Sequence, residues 1–156
     1  MTYASDNVVI VGLGLIGGSL ARALRSSGFS HRFIGYGHRE ASLQRGVELG
    51  VIDEFTLDLD EAIERADIIV ICTPTLTTVQ MLEKILPRLL GQSGGPVITD
   101  VASVKCNLRT AAIAVAGAMP PHPVLGPPIA GSQYSGVNAS KAALFVQHRL
   151  ILTAEH

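Results

Sequence analysis

The 156-residue chain has no tryptophan, two cysteines and few charged residues. Lys and Arg total 12 against 13 Asp and Glu, a net charge of −1, so it lacks the basic face that tracks nucleic acid. No apolar run reaches the length of a membrane span, and no membrane partner is expected. The opening residues MTYASDN lack the positive and apolar regions of a secretory signal, so a cytoplasmic location is expected. Cys72 and Cys106 lie far apart in sequence. A reducing compartment disfavours a disulfide between them, and Cys72, ending an apolar run, reads as a buried core thiol. The five histidines show no metal-ligand spacing, so no metal is expected. What is present is apolar: 47% of the residues are hydrophobic, enough for one domain with a real core.

Apolar runs alternate with helical patterns along the chain. NVVIVG reads as a buried strand, and LIGGSLARALRSSG as the helix after it. Ile16, Leu20 and Leu24 recur every four residues and share a face. Gly28 is placed to stop that helix. RFIGYG reads as the second strand, and REASLQRGVELG as a helix with Leu43 and Val47 inward and Gly50 at its end. DEAIERA reads as a short helix and DIIVICTP as a strongly apolar strand. TVQMLEKILPRLLG sets Leu82, Ile85, Leu86 and Leu89 on one face, with a kink or early end expected at Pro87. PVITDV reads as a strand, and SVKCNLRTAAIAVAG as a helix with Ser103 as its N-cap. NASKAALF reads as helical and HRLILT as a final strand. Strands without polar alternation are buried on both faces, and strands separated by helices imply a parallel sheet. The expected fold is a single doubly wound α/β domain over residues 1–156, Rossmann-like, with ligand at the carboxyl ends of the strands.

The segment GLGLIGG places Gly12, Gly14 and Gly17 in G-x-G-x-x-G spacing, after the first strand and at the opening of the first helix. That context makes the pattern a dinucleotide-binding turn. The first glycine permits the tight turn, the second lets a pyrophosphate approach the backbone, and the third lets helix pack on strand. Helix N–H groups then face the phosphates. A domain that prefers NAD has Asp or Glu at the end of its second strand, on the ribose 2′-hydroxyl. Here that strand ends in Gly37, with His38 and Arg39 following. Without a carboxylate there, a 2′-phosphate is not repelled and Arg39 is free to donate to it, so NADP is expected over NAD. The competing reading makes Arg39 a solvated cation at a helix start and gives the ribose to Glu40.

Together the motifs resemble the prephenate/arogenate dehydrogenase family, the oxidoreductases of tyrosine biosynthesis. The resemblance is carried by VVIVGLGLIGGSLARAL, by GVID followed by ADIIVICTP, by VITDVASVK, and by PIAGSQYSGV with LF and LILT after it. It implies a dinucleotide-binding domain followed by a helical domain that makes a homodimer and supplies half of the substrate pocket. That second domain is not expected within this chain. The implied reaction is oxidative decarboxylation of prephenate or arogenate with NADP or NAD. The candidate cofactor residues are Gly12, Gly14, Leu15, Ile16, Gly17, Gly37, His38, Arg39, Thr73 and Pro74. Ser103 matches the family serine near the substrate hydroxyl and the nicotinamide, while Asp100 and Lys105 are read as supports of its turn.

The stretch PHPVLGPPIAGSQYSG departs from the family. Where the family carries G-H-P-I-A-G-S-E, this chain has Pro127 in place of the histidine and Gln133 in place of the glutamate. Proline neither accepts a proton nor hydrogen-bonds through its side chain. His122 is the candidate replacement as catalytic residue, against a reading as a solvated loop histidine. A non-catalytic dinucleotide-binding module and another reductase with a similar cofactor domain are the alternative functions.

Overall fold

A computed structural model describes residues 5–101, 105–117, 123–125 and 136–145. Ser103, His122, Pro127, Gln133 and the expected strand HRLILT lie outside the described residues.

Among the described residues, six parallel strands form one sheet in the order β3-β2-β1-β4-β5-β6. They are β1 (Ser5–Val11), β2 (Ser30–Tyr36), β3 (Glu54–Thr56), β4 (Ile68–Ile71), β5 (Val97–Asp100) and β6 (Pro123–Leu125). Between them run α1 (Leu15–Ser26), α2 (Glu40–Glu48), α3 (Leu59–Arg65), α4 (Thr75–Leu89) and α5 (Lys105–Ala116). The order reverses beside β1, so the chain steps outward to β3, returns to β4 and proceeds to the other edge. This is the doubly wound fold expected, and it opens a crevice at the carboxyl ends of β1 and β4.

The alternation of side chains along β1 explains the two layers. Val9 and Val11 join Ile34, Ile69, Ile71 and Ile98 beneath Met81, Leu82, Ile85 and Leu86 of α4. Val8 and Ile10 join Phe33 and Val70 on the opposite face, with Ala21 of α1 and Leu43 of α2. The central stretches 8–11 and 69–71 are therefore apolar throughout, because both faces are covered.

Several sequence expectations change. The deeply buried side of α1 is made of Gly17, Gly18, Ser19 and Ala21, while Leu20 and Leu24 pack only partly buried beside it. Small residues bring that helix close to the sheet. Helix α4 continues through Pro87 to Leu89. Pro87 lies exposed in the last turn, where Arg88 donates to the Lys84 carbonyl and Gln92 to the Arg88 carbonyl. NASKAALF forms two 3₁₀ turns, Val137–Ala139 and Ala142–Phe145, instead of a continuous helix. Two short strands had no sequence signal: β3, and β6 inside the proline-rich stretch read as a loop. Gly28 and Gly50 do stop α1 and α2, with φ of +70° and +68°.

Candidate functional site

The crevice is a cleft of about 620 Å³ at the carboxyl ends of β1, β2 and β4. Its floor is the turn from β1 into α1. Gly12 has φ +86°, and a Cβ there would lie 2.7 Å from Thr73 Cγ2. The Gly12 N–H donates to the Tyr36 carbonyl at 2.9 Å, tying the turn to the end of β2. Gly17 is wedged: a Cβ would lie 2.6 Å from the Gly12 carbonyl oxygen and 2.9 Å from Ile10 Cγ2. Gly14 is the opposite case, with no atom within 4 Å of where a Cβ would stand. Its bareness serves no internal packing and leaves room above the backbone. Gly14 is also the N-cap of α1, with no side-chain cap, and the first turn holds no acidic residue. The positive end of the helix is thus open to an anion.

The walls come from two sides. After β2, Tyr36, Gly37, His38 and Arg39 line the cleft, followed by Ser42 and Leu43 from α2. His38 and Arg39 are exposed, and the His38 ring meets Tyr36 edge-on at 6.5 Å between centroids. Among the described residues no carboxylate pairs with Arg39. Glu40 begins α2 and is not part of the lining. Burial raises the pKa of the Tyr36 hydroxyl, assisted by the nearby Asp58 charge and opposed by Arg88.

After β4 the wall is Cys72, Thr73, Pro74, Thr77 and Met81. Pro74 caps α4 by backbone geometry alone. Thr78 closes the turn: its hydroxyl lies 2.9 Å from Thr73 Oγ1 and within hydrogen-bonding reach of the Thr73 and Pro74 carbonyls. Cys72 is a partly buried free thiol that borders the cleft and packs against the apolar cluster under α1. Burial pushes its pKa up to about 12, with the charge of Asp100 adding to the effect. Asp100 itself is buried at the end of β5.

Of the candidate cofactor residues, Gly12, Gly14, Gly37, His38, Arg39, Thr73 and Pro74 converge on one cleft. Leu15, Ile16 and Gly17 do not line it; they form the first turn of α1, with Gly17 pressed onto the strand. Sequence reasoning missed Leu13, Ser42, Thr77, Met81, Gly136 and Val137. Leu13 lies within the glycine motif and Gly136 and Val137 end the PIAGSQYSGV segment, but Ser42, Thr77 and Met81 carry no motif and are brought here by the topology.

Residues 20–156 match the family described as prephenate dehydrogenase, nucleotide-binding domain. The chain belongs to this family. The match begins after the glycine turn, so the turn is an independent observation. Prephenate dehydrogenase of Bacillus subtilis is 35% identical over 98% of this chain and 40% of its own length. The crystal structure of prephenate dehydrogenase from Aquifex aeolicus in complex with hydroxyphenyl propionate and NAD+ superposes with a TM-score of 0.83 at 32% identity, over 99% of this chain and 52% of that one. The Synechocystis arogenate dehydrogenase structure gives a TM-score of 0.79 at 34% identity, over 94% of this chain and 49% of that one. The chain thus spans about half or less of the length of these relatives. No helix among the described residues is long and apolar enough to cross a membrane.

Proposed function

We propose that the chain is the cofactor-binding part of an enzyme that oxidatively decarboxylates prephenate or arogenate, with NADP favoured over NAD. The observation that carries the cofactor choice is the edge formed by Gly37, His38 and Arg39, a cleft wall with a cation and no carboxylate. Glu40, the competing ribose ligand, stands outside the lining. The open N-terminus of α1 and the bare backbone at Gly14 fit a pyrophosphate.

A nicotinamide bound in the cleft would accept hydride from the ring carbon that bears the substrate hydroxyl. The chain's own task is to orient. The glycine turn and α1 hold the phosphates, Arg39 holds the 2′-phosphate, and Thr73 and Pro74 border the path between the two halves of the cofactor. By family resemblance, Ser103 hydrogen-bonds near the substrate hydroxyl. Fixing distance and orientation is the main contribution such a scaffold makes. The helical domain expected by resemblance would supply the rest of the substrate pocket and the dimer contact.

Binding of NADP+ and NAD+ at one fixed ionic strength tests the cofactor choice. A charge-assisted contact is worth about 1.5–3 kcal/mol, and exposure of Arg39 places the expected preference near its lower end, about tenfold for NADP+. Arg39→Ala should abolish it. Equal affinity in the unaltered chain would refute the choice and return the ribose to Glu40.

A second reading, a dinucleotide-binding module without turnover, is favoured by Pro127 and Gln133 at positions where the family carries histidine and glutamate. General acid–base help is worth about 10²–10⁴ in rate, so its loss would be plain. In a form joined to a helical domain, Pro127→His should raise turnover if the site has decayed. If His122 has taken the role, His122→Ala should remove the turnover present and Pro127→His should add nothing.

A further inference from the structure

The segment 136–145 crosses α1 and α2, two of the helices that begin at the cleft. It packs on α1 and α2 together. On α1, Arg22 Nε donates to Ser140 Oγ at 2.9 Å, and that hydroxyl donates to the Val137 carbonyl at 2.6 Å. The Lys141 N–H donates to Ser19 Oγ at 3.0 Å. On α2, Arg45 Nε donates to Asn138 Oδ1 at 2.9 Å. Ser19 and Ser140 are buried, so their hydroxyls cannot exchange these partners for water freely. Gly18 makes the approach possible, since a Cβ there would lie 2.8 Å from Ser140 Cβ. The outcome is the placement of Val137, which is buried in the same apolar cluster as Leu13 and Leu43 and borders the cleft.

These contacts have a geometric consequence. Helix α1 begins at the phosphate turn, and α2 begins at the His38–Arg39 edge. A dinucleotide must reach both at once. We propose that Arg22 and Ser140 are positioning residues that brace α1 against α2 through Val137 and so set the spacing that a dinucleotide spans. The inference rests on the reading of the cleft as a dinucleotide site. Neither side chain lines the cleft, and neither is assigned any contact with ligand. Their effect is on ligands that bridge the two helices, and not on ligands held by one.

The test compares NADP+, which bridges both edges, with adenosine 2′-monophosphate, which needs only the α2 edge. Arg22→Ala and Ser140→Ala in the full chain should each weaken NADP+ about tenfold, the size of one charge-assisted hydrogen bond, and leave adenosine 2′-monophosphate unchanged. Arg22→Lys keeps a donor and should restore most of the loss. Gly18→Ala, which pushes the segment away from the other side, should reproduce it. A loss shared equally by both ligands would overturn the brace and assign the contacts to general stability. NADP+ binding equal in all variants would also overturn it while leaving the cofactor reading intact. Failure of the unaltered chain to bind any dinucleotide would overturn the cofactor reading and the brace with it.

Discussion

Gly14 and Gly17 stand three residues apart in one turn, yet adding the same methyl group at each should have opposite consequences. At Gly17 a methyl would meet the Gly12 carbonyl oxygen at 2.6 Å and Ile10 Cγ2 at 2.9 Å. The nearest atom belongs to the backbone, so relief requires α1 to lift from the sheet. Overpacking of this kind costs about 1–3 kcal/mol. Alanine's better helix propensity returns about 1 kcal/mol. The net loss, up to about 2 kcal/mol, should lower Tm by up to roughly 4–8 °C in a domain of this size. At Gly14 the same methyl meets nothing within 4 Å, and φ of −124° with ψ of −151° is open to alanine. Alanine is a poorer N-cap by about 0.5–1 kcal/mol, and a less flexible unfolded chain offsets a similar amount. Stability should therefore change little. The methyl would instead occupy the space through which phosphate reaches the helix N–H groups. Loss of one such charge-assisted contact weakens binding by about ten- to a hundredfold. Thermal melts and titration calorimetry with NADP+ on both variants provide the comparison. A Gly14→Ala variant that binds as tightly as the parent would refute the phosphate assignment. One that melts as low as Gly17→Ala would refute the packing distinction.

Other perturbations follow from the same geometry. Cys72 borders the cleft but holds its proton up to about pH 12, so iodoacetamide at pH 8 should modify it far more slowly than a free thiol; rapid labelling of Cys72 in the folded chain would contradict its burial. The Asp53 carboxylate accepts from the Phe33 N–H at 2.7 Å and from Arg25 at 2.9 Å. Burial works to raise its pKa, but the hydrogen bonds from Arg25 and Phe33 prevail and lower it. Because the folded value lies below the unfolded one, this stabilisation is present above about pH 4 and disappears as the pH falls through the lowered value. Asp53→Asn should cost about 1 kcal/mol at pH 7, given the exposure of the pair, and flatten the acid limb of a stability–pH curve; an unchanged limb would show the contact to be idle.

The strands legible from sequence are those whose burial is written into composition. β1 and β4 carry runs of Val and Ile, and β2 and β5 shorter apolar stretches at Phe33 and Ile34 and at Val97 and Ile98. The two edge strands carry no such record. Glu54–Thr56 and Pro123–Leu125 are three residues each, and their extension comes from partners: Ile34 opposite Glu54, and Thr99 opposite Val124. Pro123 opens its strand at the sheet edge, where a missing N–H breaks no interior ladder. The early helix end expected at Pro87 does not occur, for a related reason. The proline's cost depends on whether the carbonyl it leaves faces core or water, and Pro87 and Arg88 lie on the exposed side of a turn whose Leu86 and Leu89 are buried.

The cleft divides in the same way. Gly12, Gly14 and Gly17 were readable from their spacing, although only Gly12 and Gly17 meet a local backbone or packing demand. Arg39 was readable because a known position lacked its usual carboxylate. Val137 and Ser140 were not readable, since the contacts that give them meaning reach back 118 residues to Arg22 and 122 residues from Lys141 to Ser19. Gly18 hid its role as well, beside a glycine already explained by the turn. Its missing side chain makes room for the later segment, whereas that of Gly17 makes room for the strand. The motif reading gave Gly17 of the GG pair to packing of helix on strand and gave Gly18 no role. The packing assigns neither to the ligand directly, and leaves Gly14 as the position where bareness serves only what enters the cleft.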